Sequence, residues 1–170
     1  MTRPRRSDPS PRAVSRLEPA VPETLYTVDR ANRTLPYVRR IAEDLVRDYA
    51  RWRARVRAIE VAGSGARTPL PADTQRRLQR ETQELAADIQ ASLGELAAIG
   101  LECKSLDEGL IDFPALVDGA PAFLCWKVGE TTVDWWHRRD AGFGGRQPIE
   151  GSVVTAPMGA TSASLPGGAA

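Results

Sequence analysis

The clearest regularity along the chain is a series of apolar positions spaced alternately by three and four residues: Leu35, Val38, Ala42, Leu45, Tyr49, Trp52, Val56 and Ile59. That spacing keeps every member on one side of a helix, so it predicts a long amphipathic helix with a coiled-coil-like seam. Thr27 is placed to cap it, because its hydroxyl can accept from the amides of the first turn, and Asp29 suits the positive end of the helix. Pro36 lacks a backbone donor and is expected to kink or delimit the first turns. Just ahead, Leu25–Val28 reads as a short strand.

The stretch from Ala62 to Pro71, rich in Gly and Pro, breaks the pattern. Asp73 or Thr74 can cap a second helix, whose seam is Leu78, Thr82, Leu85, Ile89, Ser92, Leu96 and Ile99. Gly100 falls where a left-handed C-cap belongs, with Leu101 placed to pack back on the last turn. Two long helices joined by one linker make an antiparallel hairpin with arms of about 40 Å. The same seams also suit pairing between two chains.

After Leu101 the period changes from 3.5 to 2. Ala122–Val128 and Thr131–His137 flank Gly129-Glu130, a pair suited to a two-residue hairpin turn. That register places Trp126 opposite Val133 and Leu124 opposite Trp135 on a core face. It places Cys125 opposite Asp134 and Phe123 opposite Trp136 on the other. Leu101–Lys104 and Leu110–Phe113 add further strands. The fold class expected is α+β, a long antiparallel helical hairpin packed on a small antiparallel sheet.

Residues 1–23 are rich in Pro, Arg and Ser and read as a disordered leader; residues 151–170 read as a disordered tail. A single domain is expected between them over 24–150, with the hairpin in 28–100 and the β-rich part in 101–150. The leader has no apolar core of a signal peptide, no apolar run approaches the roughly 20 residues of a membrane span, and two cysteines are too few for a disulfide framework. A cytoplasmic protein with reduced thiols and no membrane contact is the expectation.

Composition adds one thing to this picture. The net charge of +1 is a cancellation: residues 29–61 hold nine Arg against five Asp and Glu, whereas residues 101–150 hold five Lys and Arg against nine acids. Arg47, Arg51 and Arg55, with Arg53 and Arg57, form a candidate basic face near the hairpin tip. Such a face suits nucleic acid or an acidic protein, or it is a solvated flank paired with Glu81, Glu84 and Asp88 of the second helix. With no lysine stripe or aromatic platform beside it, nucleic-acid binding is the weaker reading.

Chemistry, if there is any, belongs to the C-terminal part. His137 is the sole histidine, Asp140 or Asp112 could orient it, and the Gly-rich loop leading to Arg146 could present a guanidinium to an anion. The loop matches neither a Walker motif nor a dinucleotide fingerprint. Cys103, Cys125 and His137 offer metal-ligand chemistry but show no CxxC or HxxxH spacing, and the register above puts Cys125 and His137 on opposite faces. No metal and no cofactor are therefore expected. Cys125, between Leu124 and Trp126, reads as an inert buried thiol.

Tyr26–Pro36 (YTVDRANRTLP), Gly109–Pro114 (GLIDFP), Leu124-Cys125-Trp126, Trp136-His137 and Gly142–Pro148 (GFGGRQP) together resemble a prokaryotic domain-of-unknown-function family, number twenty-two-oh-three in that series. The resemblance spans about 25 to 150 and supplies no activity. It implies that Asp112, Trp126, His137, Asp140 and Arg146 hold recurrent motif positions and share a polar site. The function expected is a non-enzymatic protein-interaction or regulatory module, with a protein partner or self-association through the helices. The alternatives are an enzyme or small-ligand module taking an anionic metabolite at the His137–Arg146 loop, and nucleic-acid binding by the arginine-rich helix.

Overall fold

Thr27 caps the first helix as its position requires: the Arg30 amide donates to Thr27 Oγ1 at 3.2 Å, and the Ala31 amide donates to the Thr27 carbonyl at 2.9 Å. In the computed structural model, which describes residues 24–63 and 70–155, that helix is α1, Val28–Gly63. The expected leader (residues 1–23), most of the linker and the tail beyond residue 155 lie outside the described residues. Leu25–Val28 is not a strand. Val28 already belongs to α1, and the preceding backbone meets β-strand backbone through a single bond, the Tyr26 amide donating to the Pro114 carbonyl at 2.7 Å. Pro36 does not end α1, which continues through it at the loss of a single backbone hydrogen bond.

The second helix, α2, is Ala72–Ala98. It starts one residue earlier than the capping residues expected for it, so Asp73 lies inside the first turn, ion-paired with Arg76, and Pro71 precedes it with no side-chain cap. Its end follows the sequence closely. Gly100 adopts φ 77°, its amide donates to the Ala97 carbonyl at 2.9 Å, and the Leu101 amide reaches back to Leu96 at 3.0 Å, a Schellman motif.

The helices pair within the chain and run antiparallel. Tyr37 Oη donates to Glu95 at 3.0 Å near one end of the pair, and Arg55 Nε donates to Glu81 at 2.8 Å toward the other. Only the proximal part of the seam is closed. Leu35, Val38, Ala42, Leu45, Leu85, Ile89 and Leu96 are buried, whereas Trp52, Val56, Ile59 and Leu78 are half-buried. The reason is the third layer: the sheet covers the base of the hairpin and not its tip.

That sheet is antiparallel, with β1 (Glu102–Ser105), β2 (Leu110–Val117), β3 (Ala120–Lys127), β4 (Trp135–Arg138) and β5 (Gln147–Pro148) in sequential order. A further strand, β6 (Val154–Thr155), pairs with Leu116-Val117 of β2. The flexible tail expected from residue 151 therefore does not begin there, because Val154 packs against the core and the Val153 amide donates to Asp118 Oδ1 at 3.0 Å.

The β3–β4 register differs from expectation by one residue: Cys125 lies opposite Trp135, Leu124 opposite Trp136 and Phe123 opposite His137. The two-residue turn does not form. Gly129, at φ 100°, instead occupies the third position of a Lys127–Glu130 turn closed by the Glu130 amide on the Lys127 carbonyl at 3.1 Å. Tertiary partners then keep the following residues out of the ladder. The Trp126 indole donates to the Glu130 carbonyl at 2.9 Å, and the Val133 amide donates to Asn32 Oδ1 of α1 at 2.9 Å.

A slip of one residue exchanges faces. Ile111, Phe113, Leu124 and Trp126, with Trp136 at the margin, face the helices beside Tyr26, Val38 and Leu45. Trp135 turns to the other face. We expect Leu45→Ala, at a fully packed position, to cost about 2–5 kcal/mol in urea unfolding. Val56→Ala, beyond the sheet, should cost less than about 1 kcal/mol, so comparable losses would contradict a core confined to the hairpin base.

Candidate functional site

Pairing of Asp112 with Cys125 across β2 and β3, and of Phe123 with His137 across β3 and β4, fixes which side chains share the face away from the helices. Asp112, Cys125 and His137 all lie on it and are all buried, at 1%, 0% and 3% exposure. One ligating atom from each, a carboxylate oxygen, a thiol sulfur and a ring nitrogen, lies within 4.8 Å of the others. Expectation had separated Cys125 from His137, and the corrected register brings them together.

The histidine is held at both nitrogens. His137 Nδ1 lies 2.8 Å from the Arg138 carbonyl, an acceptor only, so Nδ1 carries a proton. Nε2 faces the Asp112 carboxylate, 3.3 Å from Oδ1 and 3.3 Å from Oδ2. With Nδ1 protonated, a neutral ring presents a lone pair at Nε2, and a carboxylate presents lone pairs too. A close contact between them needs one additional proton or another cation. Burial is the main influence on Asp112, raising its carboxyl above the usual range, while His137 pulls it back down. Each ring nitrogen thus has a protein partner in this arrangement.

Arg146 closes the site from above. Its Nε donates to Cys125 Sγ at 3.0 Å and one Nη to the Cys125 carbonyl at 3.3 Å, while both Nη atoms grip the Glu130 carboxylate at 2.8 Å. The guanidinium is covered by Trp135 and Phe143, whose ring centroids lie 5.2 and 4.9 Å from its central carbon. Burial would lower the Arg146 pKa, but the Glu130 hydrogen bond and the charge beside it raise it overall. Cys125 is pushed up to about 11, chiefly by burial and against the pull of Arg146, so its sulfur is a thiol at neutral pH.

The remaining expected site residues lie elsewhere. Asp140 is exposed and pairs with Arg138 at 3.4 Å rather than orienting His137. Trp126 points into the helix-facing core, where Arg39 stacks over it at 5.3 Å. Cys103 shares a register position with Ile111, hence the opposite face from Asp112. Glu130, which sequence reasoning passed over, completes the network. Its only sequence signal is the turn at Gly129, because what draws it inward is Arg146, sixteen residues away.

Four of the five arginines of the basic face pair with carboxylates. Arg47 bonds Asp44 at 2.6 Å and Asp48 at 3.1 Å, Arg51 bonds Asp48 at 3.2 Å, Arg55 bonds Glu81 at 2.8 Å and Arg53 pairs with Asp107. Only Glu81 of the three expected α2 partners appears in these pairs. The other acids come from α1 itself and from the loop after β1. The Arg47 hydrogen bond, against the effect of burial, holds the Asp48 carboxyl below its usual value.

An uncharacterized conserved protein family, DUF2203, matches residues 24–149. No curated protein and no solved structure matches the chain.

Three outcomes follow from this geometry. Arg146→Ala leaves the Glu130 carboxylate with only the Lys127 amide of its described partners and uncovers Cys125, so stability should fall by about 3 kcal/mol, with Glu130→Gln restoring part of the loss. Cys125 alkylation, followed by mass spectrometry, should accelerate at least about tenfold in that variant while Cys103 is unaffected. At Asp48 a depressed pKa means stability that is present above the ordinary carboxylate value of 3.8 and is lost as pH falls below it. Thermal melts from pH 6 to 2 should therefore show a shallower acid loss, below about pH 4, for Asp48→Asn than for the parent chain.

Proposed function

The chain belongs to the DUF2203 family, and within it we propose that the protein acts as a non-enzymatic protein-interaction or regulatory module that binds through its helical hairpin. The observation that carries this reading is the change along the seam. At the base the apolar positions are closed by the sheet, and toward the tip Trp52, Val56, Ile59 and Leu78 remain half-buried. Ala54, Ala58, Leu70 and Leu78 help to line an open apolar cleft of about 560 Å³ there. A groove between two helices accepts the apolar face of a third.

Two further observations support the choice. The groups that would serve catalysis or capture of an anion are engaged with one another: His137 with Asp112 and Arg138, and Arg146 with Glu130 and Cys125. Arg47, Arg51 and Arg55 of α1 are each paired with a carboxylate, which supports a protein surface over a phosphate backbone. No helix among the described residues is long and apolar enough to cross a membrane.

A second copy of the chain is the occupant to test first, since an antiparallel hairpin with an open apolar seam is self-complementary about a twofold axis. Sedimentation equilibrium should give a mass rising with concentration above 18.5 kDa, and Val56→Asp should return it to the monomer value. A monomeric mass at every concentration, together with cross-linking to other proteins in a native extract that Val56→Asp leaves unchanged, would overturn the proposal.

A further inference from the structure

We propose that Asp112, Cys125 and His137 form a binding site for one divalent metal ion, with zinc the best match to the ligand set. The proposal stands apart from the interaction reading, because it concerns the opposite end of the molecule and the other face of the sheet.

Distances carry the first part of the argument. The His137–Asp112 contact of 3.3 Å is long for a charge-assisted hydrogen bond, which runs about 2.7–2.9 Å. Two N or O ligands at about 2.0–2.1 Å from a tetrahedral ion lie roughly 3.3–3.4 Å apart, and a sulfur at about 2.3 Å lies roughly 3.6 Å from either. The mutual limit of 4.8 Å for the three atoms therefore needs a side-chain adjustment of about an ångström to reach zinc geometry.

The surroundings supply an independent argument. Metal-bound histidines characteristically donate their second ring N–H to a carbonyl or carboxylate, which fixes the tautomer and aims the other nitrogen at the ion. His137 Nδ1 does this to the Arg138 carbonyl, and Nε2 points into the cluster. Toward the sulfur the neighbour is a donor, Arg146 Nε, placed to stabilise the thiolate that forms when the ion displaces the thiol proton to solvent. The contact that calls for a cation between Nε2 and the carboxylate is met by the ion itself.

Charge closes the account. A divalent ion with one carboxylate, one thiolate and a neutral imidazole is electrically neutral as a unit, and Arg146 is neutralised by Glu130. Burial of such a centre leaves no net charge in the low-dielectric interior. Imidazole with thiolate favours zinc over magnesium or calcium, which take all-oxygen ligand sets. With three protein ligands, the fourth position falls to water or to a ligand from outside the cluster.

The test uses the full chain produced without a polyhistidine tag. Elemental analysis after dialysis should find about one zinc per chain, and cobalt exchange should give visible tetrahedral bands with a thiolate-to-metal charge-transfer band. Cys125→Ser, a near-isosteric change, should abolish that charge-transfer band and weaken retention against a chromophoric chelator at least about tenfold, while Cys103→Ser matches the parent chain. His137→Ala and Asp112→Asn should weaken retention likewise wherever circular dichroism shows them folded. The cobalt spectrum of the unmutated chain is a readout that depends on no variant folding. Folded parent protein that takes up neither zinc nor cobalt would overturn the site, as would a charge-transfer band that disappears with Cys103→Ser and persists with Cys125→Ser.

Discussion

Side chains on a strand alternate between the two faces of a sheet, and paired residues share a face; this constraint, applied to β2, β3 and β4, determines the rest of the molecule. Because Ile111 pairs with Trp126 and Phe113 with Leu124, one face of the central strands is wholly apolar and must be covered. The base of the helical hairpin covers it, with Tyr26 as the junction: its hydroxyl donates to the Ile99 carbonyl at 2.7 Å and its ring meets Phe113 edge-on at 5.3 Å. One residue thereby ties the start of α1 to the end of α2 and to the sheet.

The same alternation places Asp112, Cys125 and His137 on the opposite face, away from α1 and α2. A carboxylate, a thiol and an imidazole buried together are costly unless each is bonded. The segment after β4 meets that need by folding back so that Arg146 lies over Cys125 and reaches Glu130. Trp135 and Phe143, exposed to a third or more, serve as walls for the guanidinium rather than as core. The Gly-rich stretch is thus a lid on a polar layer, and the sheet is buried on both sides by different chemistry.

Much of this was legible in the residue order, where the signal is local. The helices α1 and α2, the proximal part of their seams, the Thr27 cap and the Gly100 terminus follow from spacing and single-residue conformations, and the structure keeps these. The β3–β4 register was not legible. It is decided by Asn32 and Glu130 accepting hydrogen bonds from Val133 and Trp126, and the first of these contacts spans 101 residues. Since parity follows register, that one misreading carried Cys125 away from His137 and Trp135 into the core. Asp140 failed for another reason: a carboxylate three residues from a strand histidine points wherever the chain next turns, and here it turns to solvent.

The hairpin has one consequence in time rather than in space. At its base each helix is held by a neighbour and by the sheet; toward Ile59 and Leu78, among the described residues, the sheet no longer covers it. Opening the tip exposes little apolar area and breaks mainly bonds already near water, whereas opening the base requires the sheet to part as well. Amide protection should accordingly decline from Leu45 toward Ile59, and the tip can fray and re-form many times within the lifetime of the folded base.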